Sequence, residues 1–145
     1  MQGMARTFKK RRCASLFKIR LTETLELQKM KPEFANKFSL EWVEAWNEHD
    51  LDKIMTHYAD DFEMSSPVIK KIMNIENGII KGKKEVRVYW EKALKQNPNL
   101  HFEIIKSYSG ANSVVIHYKG HRGLSAETFF FNSEGKVKSA HAHYE

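Results

Sequence analysis

Apolar positions along the chain change their spacing three times, and each change marks a passage between helix and strand. Phe34, Phe38, Trp42, Ala45 and Trp46 recur three and four residues apart, which puts them on one helical face. Pro32 suits the first turn of that helix, which is expected to run to about Glu48. Asp50 then has the side chain to cap a second, shorter helix carrying Leu51, Ile54, Met55 and Tyr58. "DFEMSSP" is short, partly alternating and stopped by Pro67, as a strand leaving its sheet would be. Beyond it, residues 68 to 76 read as a loop or one helical turn, the pair Asn77-Gly78 as a turn, and Ile79-Ile80 as a brief strand.

From Lys83 the period is helical again, with Val86, Tyr89, Trp90, Ala93 and Leu94 on one face and Pro98 beyond its end. The period then falls to two. "LHFEIIKSYS", "SVVIHYKG", "LSAETFFFN" and "KVKSAHAHY" alternate and are separated by Gly- and Asn-containing turns, which predicts four antiparallel strands joined by hairpins. Three helices in the N-terminal half followed by the main sheet define an α+β class, with a strongly curved, mostly antiparallel sheet wrapped around the helices.

Charge narrows the function. The 145 residues hold 24 Lys and Arg against 18 Asp and Glu; nine of these bases and two of the acids lie in residues 1–31, leaving 15 against 16 in residues 32–145. The basic character is confined to an N-terminal extension, and the folded part has no composition suited to nucleic acid. That extension, 1–31, reads as a disordered tail or over-extended start ahead of Met30, with a targeting or binding arm as the alternative; the domain is expected over 32–145. No apolar run reaches the ~20 residues of a membrane span. A single cysteine, Cys13, excludes an internal disulfide framework and suits a reducing compartment, so a cytoplasmic location is expected.

Chemical motifs are few. There is no Gly-rich phosphate loop, no paired-cysteine motif and no Gly-x-Ser-x-Gly elbow, so no cofactor is expected. Lys81, Lys83 and Lys84 surround the start of the helix at Lys83 and read as surface charge. His141 and His143 share one face of the last strand, with His117 and His121 on or beside its neighbour. With no carboxylates at ligand spacing, metal binding is not expected. Glu127, Phe129 and Phe131 alternate onto one face of their strand, and a carboxyl among aromatics should have a raised pKa.

Three stretches, "WNEHDLDKIMTHYADDF", "GIIKGKKEVRVYW" and "FFFNSEGKVKSAHAHY", give residues 33 to 145 a resemblance to the nuclear transport factor 2-like superfamily. Within it they are similar to the SnoaL-like group that includes polyketide cyclases and ketosteroid isomerases. The resemblance implies a cone-shaped, cystatin-like roll with a pocket walled by Trp42, Trp46, Tyr58, Phe62, Trp90, Phe129 and Tyr144. Ketosteroid isomerases use an aspartate base with an oxyanion hole of a tyrosine and a protonated aspartic acid. By resemblance the base position, directly before the strand-closing proline, is Ser66; the tyrosine position is Trp42; and the protonated-acid position is Glu127. Strict isomerase chemistry is therefore not expected, because a serine is no base near neutral pH without another group to activate it.

The resulting expectation is a binder of a small hydrophobic or aromatic carbonyl compound. Glu127 would act as general acid and base in an isomerase-, cyclase- or dehydratase-like reaction while Ser66 and Trp42 or Tyr58 hold an oxygen. The alternative is a non-catalytic binder or dimeric interaction module on the same fold. A homodimer through the outer sheet face carrying His141 and His143 is expected in either case, with no nucleic-acid or membrane partner.

Overall fold

The computed structural model describes residues 31–145. Helix α1 (Pro32–Asn47) has proline in its first turn and buries Ala35, Phe38, Ser39, Trp42, Ala45 and Trp46 along one stripe. His49, in the left-handed region at φ 56°, turns the chain sharply, and the Asp50 carboxylate accepts the Lys53 backbone N–H at 3.0 Å to open α2 (Leu51–Met55). Strand β1 (Tyr58–Ser65) follows.

The segment after β1 departs from expectation. Residues 67 to 73 form a two-turn helix, α3 (Pro67–Met73), so among the described residues four helices and not three accompany the sheet. The local chemistry accounts for it. Ser66 accepts the Val68 N–H at 3.2 Å, Pro67 supplies a preset φ at the first helical position, and Asn74 closes the helix in a left-handed conformation. The chain then returns through Gly78, whose amide carbonyl accepts the Ser66 N–H at 2.9 Å. Gly78 has φ 66°, and a Cβ there would stand 2.8 Å from the Ser66 carbonyl oxygen, so both its conformation and its surroundings call for glycine.

Strand β2 (Ile79–Lys81) leads into α4 (Lys83–Gln96), which buries Val86, Tyr89, Trp90 and Leu94. Then come β3 (Glu103–Ser109), β4 (Ser113–Gly120), β5 (Gly123–Phe131) and β6 (Val137–Tyr144), as the two-residue alternation foretold. The six strands form one sheet in the order β2-β1-β6-β5-β4-β3. Every neighbouring pair is antiparallel except β1 with β6, which run parallel.

Helix α1 packs on β3 and β4, and α4 on β1 and β2, so one sheet face meets helices. Inward positions are Val114, Ile116 and Tyr118 on β4, Ser125, Glu127 and Phe129 on β5, and Ala140 and Ala142 on β6, all buried. Register places His117 opposite Ala126, and Ala126 opposite His143, while Thr128 faces His141. His117, His141 and His143 therefore lie on the outer face. The basic extension expected over 1–31 lies outside the described residues except for Lys31, and no described helix is long and apolar enough to cross a membrane.

Candidate active site

Two aromatic groups fill the space between helices and sheet, and they differ in how completely they fill it. At one end Phe34, Phe38 and Phe131 pack edge to face, with Phe38 to Phe129 at 5.0 Å and Phe38 to Phe131 at 5.0 Å. Tyr58 and Phe62, 4.5 Å apart, continue the closed packing toward Trp90, 4.9 and 5.8 Å from its ring, and no solvent reaches Phe62 or Phe129. At the other end Trp46, Trp90, Phe102, Tyr118 and Tyr144 surround a cavity of about 60 Å³ that reaches the Glu127 carboxyl.

The cavity wall is held from three directions. Asn47, at the end of α1, donates to the Phe102 carbonyl at 2.9 Å and accepts the Phe102 N–H at 2.7 Å. His49 reaches the Leu100 carbonyl at 2.8 Å. These contacts fix the segment after α4 so that Phe102 stacks on Trp42, with ring centres 5.4 Å apart and planes 7° from parallel. On the sheet side Gly120 leaves room for that ring, since a Cβ there would sit 3.0 Å from two Phe102 ring carbons. Lys83 donates to the Tyr58 carbonyl at 3.1 Å and seats the start of α4 over β1, which brings Tyr89 and Trp90 across from the strands. Of the lysines read as surface charge, Lys83 is thus partly structural, while Lys81 pairs with Glu63 at 3.3 Å.

Glu127 is 5% exposed and receives no hydrogen bond among the described residues. Burial alone pushes its carboxyl up to about 8 from its ordinary 4.5. At neutral pH it is mainly the uncharged acid, a hydrogen-bond and proton donor. Three phenols line the same cavity. Burial raises Tyr89, Tyr118 and Tyr144, and the nearby Glu127 carboxylate raises each further, so all three stay protonated donors. Among the described residues the Trp46 indole N–H has no partner there, and the Ser125 hydroxyl, beside that of Tyr118, closes no hydrogen bond of good geometry. A buried polar atom without a partner is uncommon, and one that lines a cavity is available to a guest.

Of the expected wall, Trp42, Trp46, Trp90 and Tyr144 line the cavity, as does Glu127. Tyr58, Phe62 and Phe129 do not; they belong to the filled end, where ring-on-ring packing leaves no space. The expected oxygen-holding role also changes hands. The Trp42 indole N–H donates to the Tyr58 hydroxyl at 3.1 Å, so neither group is turned to a guest. Ser66 is buried behind the wall with its hydroxyl capping α3. It lies near enough to Tyr89 and Tyr144 to offset slightly the effect of burial on both. Tyr89, Tyr118 and Tyr144 are the tyrosines that line the cavity among the described residues. Tyr89 was legible as a member of the α4 apolar stripe, and Tyr118 as an inward residue of β4; their hydroxyls gave no periodic signal.

The mouth is formed by α3 and the β4–β5 turn, with Val68, His121, Arg122 and Tyr144 lining both the inner cavity and an outer concavity of about 520 Å³. Burial and the adjacent Arg122 charge lower the His121 pKa, which keeps its imidazole neutral at pH 7. No group of three or more His, Cys, Asp or Glu among the described residues is arranged to hold a metal ion.

A layer of helices on a mixed six-stranded sheet, with a carboxyl at the closed end of an aromatic cavity, defines an α+β fold of the cystatin-like kind. The model of the SnoaL-like domain family matches residues 40–142, and the chain belongs to that family. A SnoaL-like protein of unknown function from Burkholderia thailandensis is 49% identical and superposes with a TM-score of 0.77, covering 80% of this chain and 98% of its own. More distant structures share the fold. The epoxide hydrolase/cyclase-like enzyme SalBIII, involved in pyran ring formation in the polyether salinomycin, is 15% identical with a TM-score of 0.64, covering 80% of this chain and 94% of its own. A polyketide cyclase assigned as such in Sinorhizobium meliloti only by proposal is 14% identical with a TM-score of 0.58, covering 71% and 90%. None of the curated proteins compared with the chain matches it.

Proposed function

We propose that the cavity binds a small, flat hydrophobic carbonyl compound and that Glu127 transfers a proton on it, in an isomerase-, cyclase- or dehydratase-like reaction. The observation that carries this reading is a buried carboxyl with no hydrogen-bond partner among the described residues, opening into an aromatic cavity. A group poised near 8 exchanges its proton readily at physiological pH. Uncharged, it donates to the guest's carbonyl oxygen. As negative charge develops on that oxygen, the phenols of Tyr89, Tyr118 and Tyr144 supply further donors in a water-poor setting where each counts for more. Once ionised, Glu127 can take back a proton from a neighbouring carbon. The likeness in fold to SalBIII, an epoxide hydrolase/cyclase-like enzyme, is consistent with such chemistry.

The test begins with mass spectrometry of compounds that co-purify with the native protein, followed by turnover of the compound found. Glu127→Gln keeps the shape and binding but should lower turnover at least ~10²-fold, the usual scale for a general acid or base. One observation favours a purely binding role: the position of the family's strand-end base is Ser66, and its hydroxyl is engaged as a helix cap. On that reading Glu127→Gln changes affinity only and no product forms with either protein.

We also propose that the outer sheet face joins two copies. It carries the exposed Phe130, 38% accessible, packed edge-on to His141, and Leu124 at the strand's other end. Sedimentation should show a dimer at micromolar concentration that Phe130→Glu converts to monomer; a monomeric parent protein removes the idea.

A further inference from the structure

The mouth of the cavity carries a cation without a counter-ion. Arg122 is half-buried, and its guanidinium lies 5.9 Å from the centre of the Tyr144 ring. No carboxylate pairs with it among the described residues. The nearest candidate, Glu145, turns a carboxylate oxygen to the Leu124 N–H at 3.1 Å. Arg122 lines both the inner cavity and the outer concavity, and its charge is felt at Tyr89, Tyr144 and His121. Lys71 adds a second positive group on the far side of the outer concavity. Among the described residues the Arg122 charge is thus left without a paired carboxylate at a mouth that a guest must pass.

We propose that the ligand of this pocket carries a carboxylate, held by Arg122 at the mouth, on an elongated apolar body whose other end reaches Glu127. The proposal rests on the pocket reading above and adds the chemistry of the ligand's outer end. A guanidinium presents two parallel N–H donors that match the two oxygens of a carboxylate, and such charge-assisted pairs exceed neutral hydrogen bonds in strength. Partial burial beside an aromatic ring strips water from the guanidinium and limits its screening by salt. A singly charged carboxylate suits one guanidinium beside the Glu145 side chain better than a doubly charged phosphate would. The inner end stays apolar and uncharged, with hydrogen-bond donors from Tyr118 and Glu127 and no fixed charge at neutral pH. The site is thus polarised along its length, cationic outside and neutral inside.

Calorimetric titration with trans-cinnamate and methyl trans-cinnamate tests it, because the two share a flat body and differ in charge at one end. The parent protein should bind the acid roughly tenfold more tightly than the ester, the scale of one charge-assisted pair. Arg122→Gln should abolish that preference by weakening the acid about tenfold, and an unchanged circular-dichroism spectrum and thermal melt show that the variant is folded. Ester binding with no preference for the acid, or a preference that survives in Arg122→Gln, overturns the carboxylate proposal and leaves the pocket reading standing. Failure of both compounds to bind at millimolar concentration overturns the two together.

Discussion

The two ends of the helix–sheet interface are built from the same kinds of residue and come out differently. At the filled end Phe38, Phe129 and Phe131 meet ring to ring, and between the two ends the Trp42 indole N–H and the Tyr58 hydroxyl satisfy each other. At the open end the rings of Trp46, Trp90, Phe102 and Tyr118 stand around a space, and the Trp46 N–H, the Ser125 hydroxyl and the Glu127 carboxyl lack well-formed hydrogen bonds to the described residues. Aromatic content therefore does not distinguish core from site. Unsatisfied polarity does, because a buried polar atom without a partner costs about 1–3 kcal/mol and is kept only where a water, an ion or a guest can meet it.

Substituting a ring at each end gives the largest expected effect. Phe129→Ala opens a void in a layer with no slack and should cost about 3–5 kcal/mol in urea denaturation. Phe102→Ala enlarges a space that already exists, so the stability loss should be clearly smaller, with ligand affinity falling instead. Equal losses would mean that the open end is as tightly packed as the filled one and that the distinction between them is unsound.

The sequence made much of this arrangement readable, and the limit of its reach is physical. Periodicity assigned α1, α4 and the four C-terminal strands, because a helix or a half-buried strand must turn its apolar positions one way. It also placed Glu127 inward, between Ser125 and Phe129 on β5, and the resemblance drew Trp46, Trp90 and Tyr144 to the wall. What it did not reveal is whether an inward ring finds another ring or a void. That depends on the separation of helix and sheet, which the Asn47–Phe102 hydrogen bonds and the absent side chain of Gly120 help to set. Helix α3 was missed because its seven residues are too few for a period to show, although Ser66-Pro67 is a sound start signal. Arg122 sits in a turn, where no period exists, and reaches the mouth only because the β4–β5 hairpin brings it back against Tyr144.

The second prediction uses pH to test the open end's polarity. The folded protein holds the Glu127 proton up to about pH 8, whereas the unfolded chain releases it near 4.5. Between those values the native state binds the extra proton, so this group makes stability fall as pH rises, with the full penalty present above pH 8. Glu127→Gln removes the titration. Its stability advantage over the parent should be near zero at pH 4 and grow to about 2–4 kcal/mol at pH 9. A difference independent of pH would show that the carboxyl is hydrated or paired in solution, and the open end would then resemble ordinary surface.

The smallest effects come from deleting one phenolic oxygen at each end, and they sharpen the comparison most. Tyr58→Phe removes the acceptor of the Trp42 N–H at 3.1 Å, in a place water does not reach. The orphaned N–H should cost about 1–3 kcal/mol. Tyr144→Phe removes a hydroxyl that lines the cavity beside the hydroxyls of Ser66 and Tyr118, where cavity water can replace it as their partner, while the ring remains beside Arg122. Stability should then change by no more than about 0.5 kcal/mol. The oxygen of Tyr144 is placed for a guest, so its loss should appear in ligand affinity and not in thermal melts. Should both variants melt together below the parent, the Tyr144 hydroxyl would be part of a structural network like that of Tyr58, and the wall of donors around Glu127 would be one member shorter.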